Sequence, residues 1–166
     1  VERSRGLGDV YKRQGRSRTN IDLPGLQKEL LKEIKKVNKN IVLVVMSGRP
    51  LDLTWEDENI PAIVQAWQLG SRSGDAIAQV LYGDYNPSGK LTMSFPRNVG
   101  QVPVYYNFKN TGRPSTSIEQ VTNSGYADVE NSPLYSFGYG LSYTNFSYSD
   151  LKISSDSMTK NSKINA

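Results

Sequence analysis

Cysteine and histidine are both absent from the 166 residues. Without them a chain has no disulfide, no thiolate or imidazole ligand for zinc, and no Cys–His or Ser–His–Asp catalytic set. Any chemistry the chain carries falls to carboxylates, lysines, tyrosines and hydroxyls. Long apolar runs are missing too. The longest, residues 41–46, is far short of the ~20 apolar residues a membrane-spanning helix needs. No secretory leader is recognisable, which says nothing about the compartment of a longer parent. No G-x-G-x-x-G loop offers a phosphate cradle, which weighs against a flavodoxin-like nucleotide binder.

Charge is present but not extreme: 20 Lys+Arg stand against 16 Asp+Glu, a net +4. Much of the excess gathers in Arg3, Arg5, Lys12, Arg13, Arg16 and Arg18. This arm has a single aromatic, Tyr11, and no nucleic-acid-binding motif follows it, so neither a nucleic acid nor a membrane is expected as a partner. Residues 1–14 show no apolar period and are expected to be a non-native or disordered arm.

From residue 15 onward the pattern is that of a layered α/β domain. Asp22 and Pro24 suit a helix start, and Leu26, Leu30, Ile34 and Val37 give an apolar stripe expected to face a core, with Lys28, Lys32, Lys35 and Lys36 in water. Residues 41–46 (IVLVVM) read as a strand covered on both faces. The strand ends at Ser47-Gly48-Arg49-Pro50, and ligands bind at the carboxyl edge of open α/β sheets. Residues 62–67 predict a second strand. Ala76, Ile77, Val80 and Leu81 predict a helix that stops at Gly83, and residues 91–95 a further strand closed by Pro96. Residues 101–140 are rich in Tyr, Asn, Ser, Gly and Pro and predict little regular structure. Phe146, Tyr148, Leu151 and Ile153 alternate as in the first strand of a β-sandwich. The expected fold is therefore an α/β sandwich with a mostly parallel sheet over residues 15–143, followed over residues 144–166 by the truncated start of a β-sandwich.

Five ordered stretches carry a resemblance. They are residues 17–25 (SRTNIDLPG), residues 42–50 ending in Ser-Gly-Arg-Pro, residues 83–96 (GDYNPSGKLTMSFP), residues 101–106 with 110–114 (NTGRP), and residues 133–144 (PLYSFGYGLSYT). Together they resemble glycoside hydrolase family 3, in its bacterial periplasmic β-glucosidase and β-xylosidase branch. The resemblance covers residues 15–158 and makes the last segment the start of a fibronectin type III-like domain. It implies retaining hydrolysis of β-glucosides or β-xylosides by two carboxyl groups, a nucleophile and a general acid/base, with no cofactor and no metal. The family's nucleophile is an Asp on an N-terminal (β/α)8 barrel, which this chain does not contain. The acid/base of the branch is a Glu four residues before the Arg of the Ser-Arg pair. Here that position is Gln14, and an amide cannot exchange a proton as a carboxyl group does. The chain is thus expected to be inactive by itself. Its expected partners are the barrel of the same parent and an oligosaccharide or aryl-glycoside substrate, in the periplasm or outside the cell.

No catalytic residue is expected within the chain. Four residues are candidates for substrate binding. Ser17 and Arg18 adjoin the acid/base position and either orient it or touch sugar; alternatively Arg18 ties down its own loop. Arg49 either reaches sugar from the strand end or belongs to a structural turn. Asp128 is either a partner for sugar hydroxyls or a solvated loop aspartate. The tyrosines 105, 106, 126, 135, 139 and 143 suit domain packing, with sugar stacking as the rival role. The alternative to the enzyme reading is a non-catalytic carbohydrate-binding or domain-packing module on the same fold.

Overall fold

The computed structural model describes residues 18–109, 112–114, 124–157, 159–161 and 163. Its regular elements are α1 (Gln27–Val37), β1 (Val42–Val45), α2 (Thr54–Asn59), β2 (Ala62–Gln65), α3 (Ser73–Tyr82) and a short 3-10 turn at Val99–Gln101. β1 and β2 pair in parallel, with Val42, Leu43, Val44 and Val45 opposite Ala62, Ile63, Val64 and Gln65. Alternation along a strand sends Leu43, Val45 and Ile63 to one face of this pair. There they join Leu51, Leu53 and Phe95 in the core, with Leu23, Trp67, Leu91, Leu134 and Tyr135 packed around it. The α/β expectation holds.

α3 forms where the apolar spacing predicts it and ends as expected. Gly83 takes the left-handed conformation (φ 83°) that a side chain would make costly, and its N–H bonds to the Val80 carbonyl. Asp52 prepares the start of α2 by accepting a hydrogen bond from the Thr54 N–H at 3.0 Å.

α1 differs from expectation in two ways. It begins at Gln27, with no side-chain cap, because Gly25 turns left-handed (φ 61°) between Pro24 and the helix. Asp22 caps nothing; its own N–H bonds to Asn20 Oδ1 at 2.6 Å. The expected apolar stripe is also not the face that is buried. Its buried apolar residue is Leu31, whereas Leu26, Leu30 and Val37 are 79%, 61% and 87% exposed. Lys28 and Lys35 turn partly inward onto α2, Lys35 Nζ donating to Asn59 Oδ1 at 2.5 Å and Lys28 lying 4.0 Å from Glu56, and Lys32 and Lys35 lie over the ring of Trp55, while Lys32 and Lys36 stay exposed as expected. The stripe exists as the sequence implies, but nothing among the described residues covers it.

Two further expected strands do not form as such. Residues 91–95 reduce to an antiparallel bridge between Phe95 and Tyr135, extended by Leu91 N–H to the Tyr139 carbonyl and Gly138 N–H to the Leu91 carbonyl, both at 2.8 Å. Residues 144–153 form no strand pairing among the described residues, and Phe146, Tyr148, Leu151 and Ile153 are exposed. A lone β-strand has neither ladder partners nor a second sheet to bury its apolar face.

Candidate functional site at the carboxyl edge of the sheet

The loops leaving β1 and β2 meet at the carboxyl edge. Ser47 shapes the first. Its hydroxyl donates to the Arg49 carbonyl at 2.7 Å and accepts from the Arg49 N–H at 3.3 Å. Gly48 lies so close to the second loop that an added Cβ would meet Gln68 Nε2 at 2.9 Å. The turn thus brings Arg49 round toward the segment that precedes α1. There its guanidinium donates to the Arg18 carbonyl at 2.9 Å and to the Asn20 carbonyl at 3.2 Å. The Asp52 N–H adds a bond to the Ile21 carbonyl at 3.0 Å. Three carbonyls of residues 18–21 are therefore held by the chain that follows β1.

β2 leaves the edge differently. Trp67 holds a positive φ of 51°, unusual for a bulky side chain, and its ring packs edge-on against Phe95 at 5.8 Å. Phe95, 1% exposed, in turn packs against Tyr135 at 5.9 Å. Tyr135 donates to Asp57 Oδ1 at 2.5 Å, and burial pushes its phenol above the ordinary range, with that bond adding to the shift.

Beside Arg49 opens a groove of about 490 Å³, lined by Ile21, Pro50, Met93, Pro96, the 102–106 segment and Phe137. Tyr106 and Phe137 stack in its wall at 4.8 Å. The lining is mostly apolar, with a guanidinium at one end.

Of the four candidate residues, the structure brings Arg18 and Arg49 together, through the Arg18 backbone. Asp128 lies exposed on a separate loop and takes no part in the Arg49 contacts. Ser17, and Gln14 with it, lie outside the described residues.

The most distinctive sequence stretches turn out to hold each other. Asn86 Oδ1 accepts from the Tyr143 N–H at 2.8 Å and from Ser142 Oγ at 3.0 Å. The Tyr143 hydroxyl donates to the Val80 carbonyl at 2.6 Å, and Lys90 Nζ donates to the Gly140 carbonyl. Gly140 has to be glycine because a Cβ there would stand 2.7 Å from the Gly89 carbonyl oxygen. Residues 83–91 and 138–144 thus form one seam that supports the fold.

One feature escaped the sequence altogether. Glu56, inside the acidic run of residues 56–58, is 0% exposed, and neither carboxylate oxygen finds a hydrogen bond among the described residues. Burial raises its pKa; its own backbone N–H and Lys28 pull the other way, and Asp52 and Asp22 add to the rise. Among the described residues, no group of three or more acidic residues is placed to hold a metal ion.

Comparison with known proteins sets this geometry in a lineage. Residues 4–143 match the glycosyl hydrolase family 3 C-terminal domain. A periplasmic β-glucosidase of Salmonella typhimurium is 52% identical over 151 residues, which are 90% of this chain and 20% of that protein. A β-xylosidase of Formosa agariphila is 44% identical over 152 residues, 89% of this chain and 20% of that protein. Among solved structures, a β-glucosidase from Listeria innocua in complex with glucose superposes with a TM-score of 0.74 at 43% identity, covering 81% of this chain and 19% of that one. The chain spans about a fifth of the length of these relatives. The chain belongs to glycoside hydrolase family 3, in the C-terminal domain of that family.

Proposed function

We propose that this chain is the α/β part of a larger retaining exo-β-glycosidase acting on β-glucosides or β-xylosides in the periplasm or outside the cell. In this reading position 14 is that of the general acid/base, and the nucleophile stands on a (β/α)8 barrel in the rest of the parent polypeptide. Both carboxyl groups are needed, because one attacks the anomeric carbon while the other protonates the leaving oxygen and later activates water. With Gln14 and no barrel, the chain does not turn over substrate. Ser17, Arg18, Arg49 and Asp128 would serve the substrate side of the interface, and the aromatic groove beside Arg49 would face the barrel. A final fibronectin type III-like domain would begin at residue 144.

The observation that carries this reading is the outward apolar stripe of α1, in a chain matching a fifth of its relatives' length. A helix that leaves Leu26, Leu30 and Val37 in water offers an apolar face for a neighbour to cover. The free edges of a two-stranded sheet point the same way.

The test is a joined enzyme in which this chain, as Gln14→Glu, replaces the matching fifth of the Salmonella typhimurium periplasmic β-glucosidase. Hydrolysis of 4-nitrophenyl β-D-glucoside by the joined enzyme, and loss of at least ~100-fold when position 14 reverts to Gln, is the expected result. An inactive joined enzyme, or one indifferent to position 14, contradicts it. A second reading, a non-catalytic carbohydrate-binding module, is favoured by the stacked Tyr106 and Phe137 in the groove wall. It requires saturable heat of binding when glucose or cellobiose is titrated into the isolated chain.

A further inference from the structure

We infer that Glu56 and Lys28 form a proton-operated latch between α2 and α1: α1 seats firmly while Glu56 is protonated and loosens as the carboxylate ionises.

The geometry around Glu56 is unlike that of the other buried polar groups. Among the described residues Ser94, Gln101 and Glu56 are the buried polar side chains. Ser94 accepts from the Phe137 N–H, and Gln101 bonds to Arg97 and Glu130. Both oxygens of Glu56 lack a hydrogen bond. Its one facing cation is Lys28 on α1, at 4.0 Å, too far to donate to it, and with its side chain 26% exposed. An ammonium still in contact with water attracts weakly, so it does not offset the burial of a bare carboxylate. The other charges that face Glu56 are Asp22, ahead of α1, and Asp52, in the loop after β1, and both disfavour ionisation. On α2 itself Asp57 and Glu58 stay exposed, with Asp57 taken up as the acceptor for Tyr135.

The latch matters because α1 is held by little else. Its one buried residue is Leu31. The rest of its hold on α2 is the Lys35 bond to Asn59 and the two lysines over Trp55. Lifting α1 takes Lys28 away and lets water reach Glu56. The seated form therefore binds the proton more tightly than the lifted form, as burial raises the pKa of the carboxyl. The contribution to seating is complete below the ordinary carboxylate range and is lost as pH rises through the raised value. The same helix carries Leu26, Leu30 and Val37 outward, so the proton sets how firmly that surface is held.

The test is amide hydrogen exchange of the 166-residue chain at pH 5, 6 and 7.5, corrected for the intrinsic exchange rate and repeated in low urea. Amides of residues 30–37 should exchange by a local opening that urea barely affects, whereas those of β1 should exchange by a urea-dependent global one. Protection of residues 30–37 should rise at least ~3-fold from pH 7.5 to pH 5. Glu56→Gln should show the acid level of protection at pH 7.5 and little further response to pH. Lys28→Gln should steepen the response by lowering protection at pH 7.5 alone. Residues 30–37 that open only with the urea dependence of β1, no gain on acidification, or a gain that persists in Glu56→Gln would each overturn the inference. The first two outcomes are read on the unaltered chain, so they decide even where a variant does not fold.

Discussion

The carboxyl edge of the sheet and the outer face of α1 solve the same problem in opposite ways. At the edge, several strong groups have partners from far along the chain: Arg49 on Arg18 and Asn20, Trp67 on Phe95, Phe95 on Tyr135, Tyr135 on Asp57. On the outer face of α1, Leu26, Leu30 and Val37 are exposed, with Lys28 and Lys35 of the same helix turned partly inward beside Leu31. An amphipathic helix normally turns its apolar stripe to the core. The difference separates what this stretch of polypeptide stabilises by itself from what it offers to a neighbour, and on our proposal the neighbour is the remainder of the parent enzyme.

The comparison is broken most severely by removing the centre of the satisfied region. Phe95→Ala deletes a ring that touches Trp67 and Tyr135 and should cost about 3–5 kcal/mol, read as a lower urea midpoint or outright loss of the cooperative transition. A loss below about 1 kcal/mol would mean that this core is not what holds the chain.

Gln101→Ala should cost less, roughly 1–3 kcal/mol. The buried Gln101 amide accepts from the Arg97 N–H at 2.6 Å and donates to the Glu130 carbonyl at 2.6 Å, so truncation leaves both unpaired. An unchanged urea midpoint would show that water replaces it freely.

Glu56→Gln should change stability in the other direction. Because burial raises the carboxyl's pKa, the folded state holds its proton more tightly than the unfolded chain does. The stability from this group is complete below the unfolded pKa and is lost as pH rises through the raised folded pKa. The native protein is therefore penalised by this group at pH 7 relative to acid pH. Glu56→Gln should be more stable there by about 1 kcal/mol, and its stability should vary less with pH from the ordinary carboxylate range upward. Thermal melts at pH 4, 5.5 and 7 decide it, and a variant less stable at pH 7 would show that the Lys28 contact outweighs burial.

The smallest effect sharpens the comparison most. In the isolated chain Leu30→Lys should leave the urea midpoint within about 0.5 kcal/mol, since an exposed side chain has little packing to lose. In the joined enzyme the same change should cost about 2 kcal/mol or more, because a charge would then be buried. Equal effects in the two settings would remove the distinction between the two faces.

Much of this was legible in the residues themselves, and the exceptions have a common cause. α3 and its Gly83 stop could be read because apolar spacing and a left-handed cap are local properties. β1 could be read because a β-branched run bounded by turn formers has few other uses. The orientation of α1 could not. Periodicity shows that a helix has an apolar side, but it does not say whether the covering surface belongs to the same stretch of chain. Glu56 was missed for a related reason: an acidic run reads as solvated, and its burial under Lys28 is a long-range contact. The pairing of residues 91–95 with 134–139 joins segments across a stretch with no periodic pattern. At the candidate site, Arg49 was visible as the arginine of a strand-end turn, but its targets are backbone carbonyls, which carry no sequence signature.

The central claim is that this polypeptide presents a catalytic segment without completing a catalytic site. Initial-rate hydrolysis of 4-nitrophenyl β-D-glucoside by the purified, folded 166-residue chain, with and without Gln14→Glu, tests it most directly. The account predicts that both proteins release nitrophenol no faster than buffer. Saturable, protein-dependent release by either would contradict it.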